Sequence, residues 1–363
     1  MQFIKKGQIK IDKNAFRHFI LAADIGGTRA RFGICGVKKD IPKLIFSFEL
    51  ASSKIKNLGS LIDNLLKFAY KEHGIKITKA CIAVAGVLSA EREYAKMTNL
   101  NLVVGKKELM AKTRLKEIIL INDFEAVGYG LNIIGKKDIV LVKKGIKARG
   151  APIVLCGAGT GLGKTTLIYE KHSGYYIPMP SEAGHTDFAA QNQYELELIN
   201  FIKKNKTHEN QRFSRGIKQS VSYEEVLSGR GLVHIYLFLR KIKLFKDTKY
   251  TKEIDKAGNQ SEFISKYRKA DKTCKAAFDL FKMIYAKFAR NLALDDLGFG
   301  GVYIGGGIAP KNRDIFDSQF VKEFESNYRL SYVLKKIPIY LITNENIGLI
   351  GAGFAGARLM KLS

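Results

Sequence analysis

The sequence predicts a mixed α/β fold in two lobes, each a sheet with its helices. Three observations carry this. Short apolar strands are first joined by hairpin-length turns and then alternate with segments of helical spacing. A unit of strand, glycine-rich turn, strand and helices occurs twice, which suggests two lobes with a cleft between them. The chain has 363 residues, 46% of them hydrophobic and only 6 of them proline, enough for about two domains at roughly 150 residues each.

After a polar N-terminal arm, Phe19 to Asp24 and Arg31 to Gly36 read as strands separated by Gly26, Gly27 and Thr28, and Leu44 to Leu50 alternates as a third strand. Ser60 to His73 sets Leu61, Leu65, Phe68 and Ala69 at helical spacing, with Ser60 as its cap. Ala80 to Ala85 and Ile118 to Asn122 are continuous apolar runs of the kind buried in parallel sheets. Ala151 to Cys156, a glycine-rich turn and Thr165 to Tyr169 repeat the opening pattern. A helical block follows, with Ser222 and Glu225 at capping-box spacing and one long amphipathic stretch from Glu262 to Leu297. Within it, Lys241 to Gln260 is lysine-rich and poor in large apolar residues, and reads as a surface loop. Val302 to Ile308 is another strand and glycine turn; from Asn346, Ile347, Ile350, Phe354 and Leu359 are spaced for a closely packed helix.

Lys and Arg number 61 against 34 Asp and Glu, a formal charge of +27. The apolar content excludes a disordered polycation, so this charge belongs to a folded surface. Lysine supplies most of it, whereas base recognition and bidentate phosphate contacts favour arginine; a solvated surface is the simpler reading than a nucleic-acid face. Cys35, Cys81, Cys156 and Cys274 are scattered, without CxxC or Cys/His ligand spacing, and read as buried thiols of a reducing compartment. No apolar run has the length of a signal peptide or a membrane span. A soluble, cytoplasmic protein is expected.

Three glycine turns each end an apolar strand: Asp24 to Thr28, Gly157 to Gly163, and Gly305 to Gly307. Glycine lets backbone N–H groups approach an anion, and a Thr hydroxyl adds a donor. Singly each is an ordinary tight turn; three in one chain favour phosphate binding. Ala158 to Thr165 also fits a loosened P-loop, but a P-loop opens a helix, and the β-branched, aromatic Thr165 to Tyr169 reads as strand. Asp24 suits a carboxylate facing a nucleotide's magnesium, directly or through water, and equally a turn residue bonding its own backbone. Asn122 and Asp123 emerge together at the end of a buried strand, where α/β sheets collect active sites; a helix N-cap competes for Asp123 if Phe124 to Leu131 is helical. Alone, Glu182 and His185 read as a surface ion pair.

Together these residues resemble a bacterial-type glucokinase of the actin-like sugar kinase superfamily. LAADIGGTRARFGICG at 21 to 36 resembles its first phosphate hairpin, and INDFEAVGYGL at 121 to 131 the segment with the catalytic aspartate. GAGTGLG at 157 to 163 is similar to its second phosphate motif, PSEAGHTDF at 180 to 188 to its sugar loop, SYEEVLSGRGL at 222 to 232 to the segment with a further sugar-binding Glu, and GVYIGGGI at 301 to 308 to its adenosine motif. They run in family order from about residue 20 to the C-terminus.

The resemblance implies a two-lobed actin-like (ribonuclease H-like) fold with an interlobe active-site cleft. Residues 1–133 with 344–363 would form the small lobe and 134–343 the large one, in a homodimer. It implies ATP- and Mg2+-dependent phosphorylation of glucose at its 6-hydroxyl, a glycolytic step, with Asp123 as general base. Asn122, Asp123, Glu182, His185 and Glu224 would hold the sugar. Ala23, Asp24, Ile25, Gly26, Gly27, Thr28, Gly159, Thr160, Gly161, Gly305, Gly306 and Gly307 would hold ATP, with Asp24 on its magnesium. Arg29 stands where the family usually has Asn, and either contacts phosphate or turns outward to a carboxylate. Leu100 to Val104, after Met97, replaces a stretch that often carries an aromatic residue. Another hexose or amino sugar as acceptor is the nearest alternative. A sugar-responsive regulator is the alternative from another class, but the arm before Phe19 is too short for an added DNA-binding domain.

Overall fold

The computed structural model describes residues 4–6, 12–97, 101–206 and 220–362, so Leu100 and the two residues before it lie outside the described chain. Strands β1 (Ile4–Lys6), β2 (His18–Ile25), β3 (Arg29–Lys38) and β4 (Ile41–Ala51) lead into helix α1 (Leu58–His73). Then come β5 (Lys79–Val84), β6 (Gly86–Leu88), β7 (Tyr94–Met97), β8 (Val103–Gly105), α2 (Lys106–Lys112), β9 (Glu117–Asn122) and α3 (Asp123–Gly130). Strands β10 (Ile139–Lys143), β11 (Ile153–Ala158), β12 (Leu162–Glu170) and β13 (Tyr175–Met179) precede α4 (Gln193–Lys206), α5 (Gly229–Lys241), α6 (Lys249–Lys256), α7 (Gln260–Tyr267) and α8 (Lys272–Asp295). The chain continues through β14 (Val302–Gly305), α9 (Ser318–Glu325), α10 (Ser331–Leu334), β15 (Ile339–Ile342) and α11 (Ile347–Leu359). It divides into two compact units, one of residues 1–138, 167–180 and 344–363, the other of 139–166 and 181–343.

In the first unit the sheet order is β1-β4-β3-β2-β5-β9. β2, β3 and β4 form an antiparallel meander, and β5 pairs parallel with both β2 and β9. The continuous apolar runs of β2 and β5 are explained by burial on both faces, since alternate side chains point to opposite sides. Leu21, Ala23 and Ile25 of β2, with Ala80, Ile82 and Val84 of β5, pack with Leu61, Ile62 and Leu65 of α1. Ile20, Ala22, Cys81 and Ala83 pack on the other side with Ala126 and Tyr129 of α3 and Leu349, Ala352 and Phe354 of α11. Helix α1 begins earlier than expected: Asn57, not Ser60, is its cap, and its Oδ1 accepts the Ser60 N–H at 2.9 Å. The shift brings Leu58 into the core.

The glycines of α11 are spacing devices. An interior glycine costs roughly 1 kcal/mol of helix propensity, yet a Cβ on Gly351 would stand 1.7 Å from the Ala126 carbonyl oxygen and 2.6 Å from the Gly130 nitrogen. Backbone contact between α3 and α11 is what these residues permit.

In the second unit the sheet order is β10-β15-β14-β11-β12, with β15, β14 and β11 parallel and β10 antiparallel at the edge. Thr165 to Tyr169 lies within β12, so no helix follows the second glycine turn and the P-loop reading fails. The segment expected as a loop, Lys241 to Gln260, contains α6. Its Thr248 cap and one fully buried anchor, Ile254, suffice for two turns that hydropathy spacing does not reveal. The stretch Glu262 to Leu297 is two helices: Asp271 interrupts it, accepting the Cys274 N–H at 2.9 Å as the cap of α8. Ser222 and Glu225 bracket a single 3₁₀ turn with no side-chain cap; the next helix, α5, is capped by Ser228. All four cysteines are buried and unbridged, and burial pushes the Cys35 and Cys156 thiols up to about 12. No helix among the described residues is long and apolar enough to cross a membrane.

Gly351→Ala should therefore destabilise the protein by about 2 kcal/mol or more, as overpacking does, while Gly258→Ala, whose Cβ would meet nothing within 4 Å, should fall within about 0.5 kcal/mol of the parent. Urea unfolding of the two variants checks this; equal midpoints would contradict the packing argument.

Candidate active site

In the first unit the parallel register fixes where the candidate residues emerge. Ile25 pairs with Val84 and Val84 with Asn122, so the turn after β2 and the start of α3 leave the same edge of the sheet, about 10 Å apart at two strand spacings. The turn is closed by the Gly26 N–H donating to the Arg29 carbonyl at 2.9 Å. Ser52 braces it, its hydroxyl donating to the Gly26 carbonyl at 2.6 Å and its N–H to the Thr28 carbonyl at 3.0 Å. Asp24 points at the start of α11, where a Cβ on Gly348 would stand 2.7 Å from its Oδ2. Burial raises the Asp24 carboxyl, and Arg31, 3.9 Å away, partly offsets this. Arg29 turns to carboxylates: its guanidinium lies 3.9 Å from both Glu49 and Glu345, while Arg31 holds Glu49 more tightly at 3.1 Å.

Asn122 is the N-cap of α3 and Asp123 its first residue. The Asn122 Oδ1 accepts the Phe124 N–H at 2.8 Å, and Glu125 Oε2 reaches back to accept the Asn122 N–H at 2.8 Å, a complete capping box. Asp123 Oδ1 accepts the Phe124 N–H at 3.0 Å. Its carboxylate is partly exposed, and a helix N-terminus favours its charge.

In the second unit the two glycine turns lie side by side. Gly157 pairs with Gly305 across parallel strands, and Gly306 takes a left-handed φ of 79° in a place where a Cβ would come 2.5 Å from the Ala158 carbonyl oxygen. Gly159 is tied to Gly161 and, through its carbonyl, to the Gly229 N–H at 2.9 Å. Tyr285 of α8 supports β11 from below, its hydroxyl accepting the Ala158 N–H at 3.1 Å.

The candidate sugar residues of this unit also converge. Buried Glu224 accepts the Leu162 N–H at 2.9 Å and an Arg230 N–H at 3.2 Å, and a Cβ on Gly161 would stand 2.6 Å from its Oε2. Glu182 and His185 form a half-exposed pair at 3.8 Å. Burial raises the Glu182 carboxyl, His185 lowers it, and the charge of Glu224 raises it again, so the three groups share one electrostatic environment. Acceptors, a donor ring and phosphate-sized backbone turns are the groups that a polyhydroxylated ligand and a polyphosphate require.

Four supporting residues escaped the sequence reading. Ser52, Arg92 and Gly348 lie outside every motif, and Arg230 lies inside one without being singled out; Ser52, Arg230 and Gly348 meet candidate residues directly, and Arg92 meets Glu125, which closes the cap at Asn122. A Ser or Gly at a turn has too many ordinary uses to be singled out.

Comparison with known proteins gives the chain a family. A family model described as Glucokinase matches residues 21–359. A glucokinase of Nostoc sp. is 34% identical over 356 residues, covering 94% of this chain and 99% of that protein. Among solved structures, a glucokinase from an Antarctic psychrotroph is 27% identical with a TM-score of 0.71, covering 94% of this chain and 99% of that one. A glucokinase from Balamuthia mandrillaris in complex with glucose is 20% identical with a TM-score of 0.78, covering 93% of each chain. A ROK family glucokinase from Streptomyces griseus in complex with glucose and AMPPNP is 16% identical with a TM-score of 0.62, covering 94% of this chain and 99% of that one. The last two likenesses concern the fold, which is that of the actin-like sugar kinases.

The electrostatics of the Glu182 environment give a titration to measure. The Glu182 carboxyl should protonate above the ordinary value of about 4.3; His185→Gln should raise it further and Glu224→Gln should lower it. Because the folded chain holds this proton more tightly than the unfolded one, the stability it contributes is present below the unfolded value and is lost as pH rises through the folded one. Carboxyl 13C NMR reads the midpoint, and a value at or below the ordinary one would contradict the arrangement.

Proposed function

The chain belongs to the glucokinase family, a family of sugar-phosphorylating enzymes, and on that footing we propose that it transfers the γ-phosphoryl group of ATP to the 6-hydroxyl of glucose with Asp123 as general base. The observation that carries the reading is the placing of Asp123. It is the first residue of a capped helix at the end of a buried parallel strand, on the sheet edge that also carries the turn after Ile25.

The attacking hydroxyl must lose a proton as its oxygen bonds to phosphorus, and a carboxylate within hydrogen-bond reach accepts it. Asn122, Glu182, His185 and Glu224 are the proposed sugar contacts. A buried carboxylate already fixed by Leu162 and Arg230, as Glu224 is, loses little freedom on binding a hydroxyl. The glycine turns, Ala23 to Thr28, Gly159 to Gly161 with Thr160, and Gly305 to Gly307, are the proposed nucleotide contacts, offering backbone N–H groups to the charge that spreads over the γ-phosphoryl oxygens. The chemistry of Asp24 fits magnesium: it is an oxygen donor beside a phosphate turn, and the absence of a side chain at Gly348 lets its carboxyl lie close to the start of α11. Mg2+ bound with ATP would neutralise phosphate charge there. The glucose and AMPPNP bound by the Balamuthia and Streptomyces proteins support this choice of ligands.

Asp123→Asn should keep glucose affinity within a few-fold and lower kcat by about 10² to 10⁴; a variant retaining more than about a tenth of the parent rate would end the general-base assignment. With ATP as donor, glucose should give the highest kcat/KM among glucose, mannose and glucosamine, and ATP should outperform polyphosphate. A higher value for another sugar or donor would reassign that substrate and leave the base assignment to the Asn variant.

A further inference from the structure

Glu125 is buried, with its side chain 4% exposed, and it is paired with an arginine that is 33 positions away in the chain. Strands β6 and β7 pair antiparallel as a hairpin, and Arg92, in its turn, grips Glu125 with two parallel bonds, Nη2 to Oε1 at 2.8 Å and Nη1 to Oε2 at 3.2 Å. Glu125 Oε2 is also the atom that accepts the Asn122 N–H and closes the cap of α3. The same hairpin makes a second contact with that cap: the Asn122 side-chain amide donates to the carbonyl of Gly86, the first residue of β6, at 3.4 Å.

The hairpin turn is itself well tied. Ser89 Oγ accepts the Glu93 N–H at 3.0 Å, the Ser89 carbonyl accepts the Arg92 N–H at 2.8 Å, and the Tyr94 carbonyl accepts the Ser89 N–H at 2.9 Å. Arg92 holds a left-handed φ of 53°, where glycine or asparagine would be more comfortable. From that turn its side chain reaches Glu125.

Asp123 stands between the two residues so fixed. Its backbone is bounded by Asn122 on one side and by the turn that Glu125 pins on the other. We propose that Arg92 is a positioning residue for Asp123, acting through Glu125 to hold the first turn of α3. The proposal rests on Asp123 being the base. A misplacement of about 1 Å in such a group is enough to cost about 100-fold in rate, and bidentate pairing is the geometry that resists one.

The test is kinetic. Arg92→Gly relieves the backbone but leaves Glu125 buried and unpaired, so it is combined with Glu125→Gln, whose amide oxygen still accepts the Asn122 N–H. The double variant should fold, bind ATP with a KM within about twofold of the parent, and lose about tenfold or more in kcat per folded molecule. Arg92→Lys, which keeps the charge without the fork, should retain several-fold more kcat than Arg92→Ala. A double variant with kcat within twofold of the parent, or a loss in Arg92→Ala that merely follows the folded fraction and is not recovered by lysine, would overturn the proposal. Asp123→Asn, assayed alongside, separates the two ideas: if it stays active the base reading fails, whatever the Arg92 variants do.

Discussion

Parallel pairing of β2, β5 and β9 is the constraint on which the first unit depends. The register sets Ile25, Val84 and Asn122 in one line, so whatever follows each strand is delivered to a common edge. Strands buried on both faces cannot slip by one residue without turning apolar side chains out of the core and into the wrong layer. The placing of Asp123 relative to the turn after Ile25 is therefore decided by core packing, not by the loops themselves. The glycines of α11 complete that layer by letting helix backbone lie against helix backbone, and the start of the same helix meets Asp24.

The second unit repeats the device with different detail. Its parallel strands β11 and β14 bring Gly157 and Gly305 opposite each other, and at Gly157 and Gly306 the facing backbone leaves no room for a side chain. Charge is concentrated around these turns in a way the overall balance conceals. The chain carries a formal +27, yet the candidate residues of this unit include Glu182, whose carboxyl burial and the charge of Glu224 raise and His185 lowers, and Glu224, which pairs with Arg230. The excess of lysine is a property of the surface, and the local chemistry is set by a few paired groups.

Much of this was legible in the sequence. The strands at Phe19 to Asp24, Ala80 to Ala85 and Ile118 to Asn122 announced themselves because burial on both faces leaves an unbroken apolar run, and the three glycine turns because so few other residues permit their geometry. Three kinds of feature were not. Helix α6 rests on one buried isoleucine, too little for a periodic signal. The break before α8 comes from a single aspartate, Asp271, whose capping bond is invisible in an amphipathic pattern. The support of the site comes from residues distant in the chain: no spacing rule joins Arg92 to Glu125 or Gly348 to Asp24, because those contacts arise only when the sheet edge and the helices are in place.

Central to the account is that these capped helices and glycine turns serve phosphoryl transfer to a sugar, not sugar binding alone. Incubating the protein with glucose, ATP and Mg2+ and resolving the products by 31P NMR tests this most directly. The account predicts glucose 6-phosphate and ADP formed one for one; glucose bound but unphosphorylated, or ADP released without any sugar phosphate, would contradict it.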